Sequence, residues 1–187
     1  GFKIGKELFT SAGPEVVRRI RATGANVFLD LKFHDIPNTV SKAVAAAVEL
    51  DVQMLTIHTS GGVTMMEAAE QAAQERAAAL GRPPPLVLGV TVLTSLDTNE
   101  LAEIGFSRDV GRQVEHLASL AVKAGLRGLV CSPLEIAGLR SILPSHVQLV
   151  TPGIRPAGSD QGDQRRTLTP REAVEAGASW LVIGRPI

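Results

Sequence analysis

The sequence predicts an α/β protein whose parallel strands form a (β/α)8, or TIM, barrel in a single domain covering residues 1–187. Strand and helix patterns alternate along the whole chain, which is typical of parallel βαβ units. One predicted strand, Leu86 to Leu93, is apolar on both faces, as expected where helices cover both sides of a parallel sheet. An open doubly wound sheet is the competing architecture, but no G-x-G-x-x-G turn follows the first strand. The barrel is therefore the predicted fold.

Glycine, proline and polar turns divide the chain into seven predicted strands and six connecting helices. The strands are Phe2 to Gly5, Val27 up to Asp35, Gln53 to His58, Leu86 to Leu93, Gly128 to Cys131, Val147 to Val150 and Trp180 to Ile183. The helices are Pro14 to about Thr23, Thr39 to Leu50, Gly62 to about Leu80, Arg108 to Ala124, Leu134 to Ile142 and Pro170 to Ala176, with a further short one at Asn99 to Ile104. A closed barrel needs one more strand, and no helix follows the last strand. We therefore expect the first βα unit and the last helix of the barrel to be missing from these residues.

Composition points to a protein that acts on a small molecule. Positive and negative side chains balance at 19 each, so the overall charge does not favour nucleic acid or an anionic membrane as a partner. The one cysteine excludes an internal disulfide, and no apolar run approaches the roughly 18 residues of a membrane span. The N-terminal residues lack the pattern of a secretion signal. We expect a soluble protein of the cytoplasm.

The second predicted strand, in VFLDLKFHDIPNTV, carries charges that a buried strand does not ordinarily need. Strand side chains alternate between faces, so Asp30 and Lys32 should share one face. Asp35 falls on the loop beyond the carboxyl end of the strand, where barrel enzymes have their active sites. On the first strand, Lys3 lies on the face opposite its apolar neighbours.

A buried ion pair would explain Asp30 or Lys32 taken alone about as well as catalysis does. It explains the set of Lys3, Asp30, Lys32 and Asp35 less well, because desolvation costs several kcal/mol per ion and leucine or valine would avoid it. The set favours a reaction in which a carboxylate repels a negative group of the substrate while a lysine donates a proton.

A second group of residues is typical of phosphate binding. Loops after the last two strands of such barrels often hold phosphate with backbone N–H groups, and here Gly184 and Arg185 follow the last strand. The long polar segment 151–167 has the character of a lid, and its Arg155 and Gln164 could close over the same anion. The alternative for Arg185 is an ordinary surface arginine, and the alternative for the segment 151–167 is a disordered loop.

Three other reactive residue types have simpler explanations. His34 and His58 suggest a metal, but no His-x-x-x-His or cysteine cluster supports one. Cys131 is interpreted as a small core residue. Ser132 before Pro133 is interpreted as a helix N-cap.

Several segments resemble the orotidine 5'-phosphate decarboxylases, most closely those of bacteria. These segments are KIGKELFT, DLKFHDIPNT, GVTVLTS, TPGIRPAG followed by GDQRR, and VIGRPI, and together they cover essentially the whole chain. The D-x-K-x-x-D core alone is shared with sugar-phosphate decarboxylases and aldolases of the same superfamily. Its continuation into IPNT, together with GDQRR and GRPI, makes the resemblance specific.

The resemblance implies catalytic roles for the charged strand. Lys3, Asp30 and Lys32 would form the catalytic network, with Lys32 as the proton donor to C6 of the pyrimidine and Asp30 crowding the departing carboxylate. Asp35, Ile36 and Thr39 would complete the site of the neighbouring subunit in a homodimer.

The resemblance also implies substrate-binding residues and the absence of a cofactor. Thr94 would contact the pyrimidine ring, and Arg155, Gln164, Gly184 and Arg185 would hold the lid and the phosphate. Neither metal nor organic cofactor is implied, so fixed charges of the protein would stabilise the carbanion.

Two alternative functions stay open at this point. One is a magnesium-dependent superfamily relative that acts on a sugar phosphate, such as a keto-sugar phosphate decarboxylase or hexulose-phosphate synthase. The other is a catalytically inactive barrel that binds phosphate.

Overall fold

The computed structural model of the protein describes residues 1–107, 109–156 and 167–184. Strands and helices alternate through these residues, and the paired strands run parallel, which confirms the predicted α/β class. Contacts divide the chain into two compact units, here called unit 1 (residues 1–89 and 123–126) and unit 2 (residues 90–122 and 127–187). The single domain and the eight-stranded barrel stay predictions.

Unit 1 is a parallel sheet whose strands follow the order of the chain. Its strands are β1 (Phe2–Gly5), β2 (Val27–Phe33), β3 (Met54–His58) and β4 (Leu86–Val90), the last ending at the boundary of the unit. Its α-helices are α1 (Lys6–Ala12), α2 (Glu15–Ala22), α3 (Pro37–Glu49) and α4 (Val63–Ala79), and a 3-10 turn, Thr59–Gly61, precedes α4. β1 pairs with β2 and β2 with β3, so the carboxyl ends of these strands share one edge of the sheet.

The helix α3 shows how sequence sets these boundaries. Pro37 occupies its first turn, and Ile36 before it is extended with ψ 152°, as the proline requires. Val40, Val44 and Val48 lie four residues apart on one face of α3 and are buried, and the helix packs against α4 and β2. The loop before α3 is thereby anchored at the end of β2.

Unit 2 repeats the alternation with shorter strands. Its elements are α5 (Thr98–Glu103), α6 (Val110–Lys123, ending at the boundary of the unit), β5 (Gly128–Val130), α7 (Ile136–Ile142), β6 (Gln148–Thr151), α8 (Pro170–Glu175) and β7 (Trp180–Leu181). β5 pairs with β6 and β6 with β7, all parallel. Ser132 caps the 3-10 turn Pro133–Glu135 through a capping box with Glu135, which confirms its predicted role.

Several elements differ from the predicted ones, most clearly α1, β4 and β7. The helix α1 was not predicted, because its 7 residues, KELFTSA, are too few to show a helical apolar period. β4 ends at Val90 and not at Leu93, because Leu93 is part of a turn in which its carbonyl accepts from Leu96 N. β7 is shorter than predicted and ends at Leu181.

No helix in the described parts of the chain is both long and apolar enough to span a membrane.

Arg140 on α7 joins the segments that lead into β6 and β7. Its guanidinium group donates to the carbonyl oxygens of Val147 at 2.7 Å and Gly177 at 2.8 Å, and to Ser179 Oγ at 2.9 Å. Ser179 Oγ in turn accepts from Leu149 N. One planar side chain thus ties a helix to the starts of two adjacent strands.

We predict that Arg140→Lys destabilises the protein by about 1–3 kcal/mol, because an ammonium group cannot reproduce three diverging charge-assisted hydrogen bonds. Urea denaturation at neutral pH measures the loss. Arg112→Lys is the matched control, since Arg112 makes an exposed ion pair with Asp109 and such pairs contribute little. Equal stability of the two variants would contradict the prediction.

Candidate active site

Lys3, Asp30 and Lys32 lie in contact at the carboxyl end of β1 and β2. Lys32 Nζ is 2.8 Å from Asp30 Oδ1, and Lys3 Nζ is 3.4 Å from Asp30 Oδ2. The carboxylate is the least accessible of the three, with a side-chain exposure of 14%, against 26% for Lys32 and 38% for Lys3. We call this group the charged triad.

The pairing of β1 with β2 brings Lys3 to Asp30. Gly5 is the register partner of Asp30, and Lys3 lies two residues earlier on β1, on the same face. A Cβ atom on Gly5 would lie 3.2 Å from Lys3 Nζ, closer than most such contacts. Glycine at position 5 therefore leaves room for the ammonium group beside the carboxylate.

The strand that carries Asp30 and Lys32 is irregular, which the alternation argument did not foresee. Leu29 pairs with Leu55 and Phe33 with Ile57, so two more residues of β2 than of β3 lie between these paired positions. Lys32 has φ +52°, the left-handed conformation that costs a non-glycine residue about 1–2 kcal/mol. The predicted shared face agrees with the contact between Asp30 and Lys32, but the strand between Leu29 and Phe33 is bulged and not regular.

Thr56 on β3 is hydrogen bonded to β2 at this bulge. Its side chain is fully buried, and its Oγ1 lies 2.8 Å from Lys32 N and 3.0 Å from Asp30 Oδ1. The hydroxyl accepts the backbone N–H and donates to the carboxylate. Sequence reasoning did not single out Thr56, although its position two residues before His58 places both on the same face of β3.

The charges around Asp30 favour its ionised form. Burial alone would raise the pKa of this carboxyl group. The hydrogen bond and charge of Lys32, the charge of Lys3 and the hydrogen bond from Thr56 outweigh burial and hold the pKa below its usual value. With two ammonium groups around one carboxylate, the triad carries a net positive charge.

His58 ends β3, and its ring lies beside that of His34, with 5.3 Å between the ring centroids. Burial lowers the pKa of His58 to about 4, and the positive charges of His34, Lys6 and Lys32 act in the same direction. The imidazole is therefore neutral at pH 7. No group of three or more His, Cys, Asp or Glu residues within the described ranges could hold a metal ion.

The loop after β2 presents Asp35, Ile36 and Thr39 on the surface of the chain. All three are exposed, Ile36 to 65%. Asp35 Oδ1 accepts from Ile36 N at 2.7 Å, and Thr39 N donates to the carbonyl of Ile36 at 3.0 Å. These bonds fix the loop at the start of α3 and leave an apolar side chain uncovered by its own chain.

The other predicted binding residues belong to unit 2. Thr94 lies, half-buried, in the turn after β4. Arg155 N donates to Leu168 O at 2.9 Å, next to the pairing of Ile154 with Leu168. Gly184 is exposed after β7. Gln164 and Arg185 lie outside the described residues.

Cys131 is 1% exposed at the end of β5. Burial, followed by the negative charge of Glu135, raises the pKa of its thiol to about 12. A protonated and buried thiol is a poor nucleophile, in agreement with the interpretation of Cys131 as a core residue.

The charged triad provides both a fixed carboxylate and a hydrogen-bonded ammonium group. Such a carboxylate repels an anionic group placed beside it, and an ammonium group can donate a proton where negative charge develops. The arrangement is therefore suited to a reaction in which an anionic substituent leaves as a neutral molecule and a carbanion forms in its place.

Comparisons with known proteins agree with this chemistry. The model of the orotidine 5'-phosphate decarboxylase / HUMPS family matches residues 1–187. Proteins named orotidine 5'-phosphate decarboxylase from Moorella thermoacetica and Pseudomonas fluorescens (strain SBW25) are 56% and 57% identical, over 100% and 99% of this chain and 74% and 78% of theirs.

Two solved structures are similar to this chain in fold and in sequence. Orotidine 5'-phosphate decarboxylase from Lactobacillus acidophilus is 39% identical, with a TM-score of 0.88 over 99% of this chain and 78% of its own. An uncharacterized conserved protein from Geobacillus kaustophilus is 36% identical, with a TM-score of 0.86 over 98% of this chain and 78% of its own. With a family match over all 187 residues and relatives above half identity, the chain belongs to the orotidine 5'-phosphate decarboxylase / HUMPS family.

Proposed function

We propose that this protein removes carbon dioxide from orotidine 5'-phosphate to form uridine 5'-phosphate, a step of pyrimidine biosynthesis. The observation that carries the proposal is the charged triad, in which Asp30 contacts both Lys3 and Lys32. The names and high identity of the curated relatives support the same activity. Orotidine 5'-phosphate has a carboxylate that Asp30 can repel and that departs as neutral carbon dioxide.

In the proposed reaction, the bond between C6 of the pyrimidine and its carboxylate breaks and leaves an electron pair on C6. Asp30 lies beside the substrate carboxylate and repels it, which favours its departure as carbon dioxide. Lys32 Nζ then donates a proton to C6, and solvent protonates the lysine again. The hydrogen bond between Lys32 and Asp30 keeps the ammonium group in place before the reaction.

Fixed charges supply the stabilisation in this mechanism. Negative charge moves during the reaction from the substrate carboxylate, which Asp30 repels, to C6, which faces the ammonium group of Lys32, so the triad favours the transition state over the bound substrate. Enzymes lower barriers by at least about 8 kcal/mol, and here preorganised charges must supply most of it. We propose that neither a metal nor an organic cofactor takes part.

The remaining substrate contacts are assigned to unit 2. We assign Thr94 to the pyrimidine ring, and Arg155, Gln164, Gly184 and Arg185 to the phosphate and the lid. The partial exposure of Arg155 and the exposure of Gly184 are compatible with binding from solvent. A phosphate group suits backbone N–H groups combined with the bidentate donors of an arginine.

We also propose a homodimer in which Asp35, Ile36 and Thr39 complete the site of the partner. The support is the exposure of these residues on a loop directly after the strand that carries Asp30 and Lys32. A (β/α)8 barrel as the complete architecture and a cytoplasmic location are further parts of the proposal.

We predict that Lys32→Ala lowers kcat by at least about 100-fold, since it removes the proton donor. The measurement is the loss of orotidine 5'-phosphate absorbance with the full-length protein. Lys123→Ala, which removes an exposed lysine at the end of α6, should retain activity. Full activity of Lys32→Ala would refute the assignment, and loss of wild-type activity on chelation would favour the magnesium-dependent alternative.

We predict that Asp30 stabilises the fold in its ionised form only. Because its pKa is lower in the folded protein than the ordinary 3.8, this contribution is complete above that value and is lost as pH falls through the folded pKa. The wild type should therefore melt at a higher temperature than Asp30→Asn at pH 7, and the difference should shrink at pH 3. A difference in Tm that does not change between these pH values would contradict the electrostatic assignment.

We predict that two inactive variants complement each other if the site is shared. In a mixed dimer of Lys32→Ala and Asp35→Asn chains, one site has lysine from its own chain and aspartate from the partner. Refolding the two together should restore about a quarter of the wild-type rate, because half of the dimers are mixed and each has one intact site. Sedimentation shows whether the dimers form. If they form and activity does not recover, Asp35 is not shared between subunits.

A further inference from the structure

We propose that Thr56 is a positioning residue that sets the geometry of the catalytic pair Asp30 and Lys32. Its effect on turnover rests on the proposed decarboxylase function, while its effect on the local structure does not. The observation is one buried hydroxyl that is hydrogen bonded to both members of the pair.

The two hydrogen bonds have defined directions. The backbone N–H of Lys32 can only donate, so Thr56 Oγ1 accepts it at 2.8 Å. The ionised carboxylate of Asp30 can only accept, so the single hydroxyl proton of Thr56 points to Oδ1 at 3.0 Å. The hydroxyl thereby links the main chain of one residue to the side chain of the other.

The link is needed because the strand ladder is interrupted at this point. The bulge between Leu29 and Phe33 removes the regular pairing of β2 with β3, and Lys32 has left-handed backbone. An unpaired N–H in this part-buried position is unfavourable, so the chain would otherwise relax toward a conformation in which this group finds another acceptor. Such a relaxation changes the direction of the Lys32 side chain, and with it the distance of 2.8 Å from Nζ to Asp30.

Two properties of Thr56 make it suited to this role. The side chain is fully buried, so water does not compete for the hydroxyl. Threonine is branched at Cβ and has restricted χ1 freedom, which holds Oγ1 between its two partners. Valine has the same shape without the hydroxyl, and serine has the hydroxyl without the methyl group.

The test compares Thr56→Val with Thr56→Ser in the full-length protein. Thr56→Val should lower kcat by about 100-fold, the scale expected when a catalytic group is displaced by about 1 Å. Binding of uridine 5'-phosphate, measured by calorimetry, should change little, because the phosphate contacts are elsewhere in the chain. Thr56→Ser should recover most of kcat. A valine variant with wild-type kcat, or a serine variant as impaired as the valine variant, would overturn the proposal.

A second measurement is independent of turnover. Amide hydrogen exchange at Lys32 should be slow in the wild type and in Thr56→Ser, and fast in Thr56→Val. If the wild type does not decarboxylate orotidine 5'-phosphate, the proposed function fails while this exchange pattern still tests the positioning of Lys32. Equal protection of Lys32 in all three proteins would overturn the proposal.

Thr91→Val controls for the loss of any buried threonine hydroxyl. Thr91 is 4% exposed, and its Oγ1 donates to a backbone carbonyl, Val130 O, at 3.2 Å. It should lower Tm and leave kcat unchanged. A loss of kcat equal to that of Thr56→Val would show a general structural effect and would overturn the proposal. If Thr56→Val does not fold, Thr56→Ala takes its place with the same outcomes.

Discussion

The attraction between one carboxylate and two ammonium groups is the constraint on which the candidate site depends. Asp30 is the only member of the triad that contacts both of the others in the described structure. Removing it would leave Lys3 and Lys32 as unscreened like charges near a partly buried site, which is unfavourable. The same carboxylate is the group proposed to repel the substrate. The carboxylate that holds the two lysines in place is thus also the group proposed to act on the carboxylate of the substrate.

The backbone supports this arrangement with unfavourable local geometry. Lys32 is left-handed and β2 is bulged, and both features would be avoided in a strand that served only for packing. Within β2, the residue with left-handed backbone is Lys32, the one proposed to transfer the proton. Its neighbours Leu29 and Leu55 are buried and regularly paired, so the rest of the sheet holds the irregular residue in place.

The alternation of strands and helices could be predicted from the sequence, because apolar patterns and turn residues within each short segment indicate whether it forms a strand or a helix. Sequence reasoning also predicted that Lys3, Asp30 and Lys32 belong to one site, and the structure has them in contact, while their catalytic roles stay predictions. It missed α1, which has only 7 residues. It missed the bulge and Thr56, because a hydrogen bond from a side chain on one strand to the backbone of another leaves no periodic signal.

The pairing of Ile154 with Leu168, reinforced by the bond from Arg155 N to Leu168 O, has a consequence for protein engineering. The two ends of the intervening segment are joined to each other, so changes in its length need not alter the register of β6 and β7. Each doubling of a loop costs only about 0.6 kcal/mol in closure entropy. A segment of different length can therefore be inserted between these two residues without redesigning the sheet.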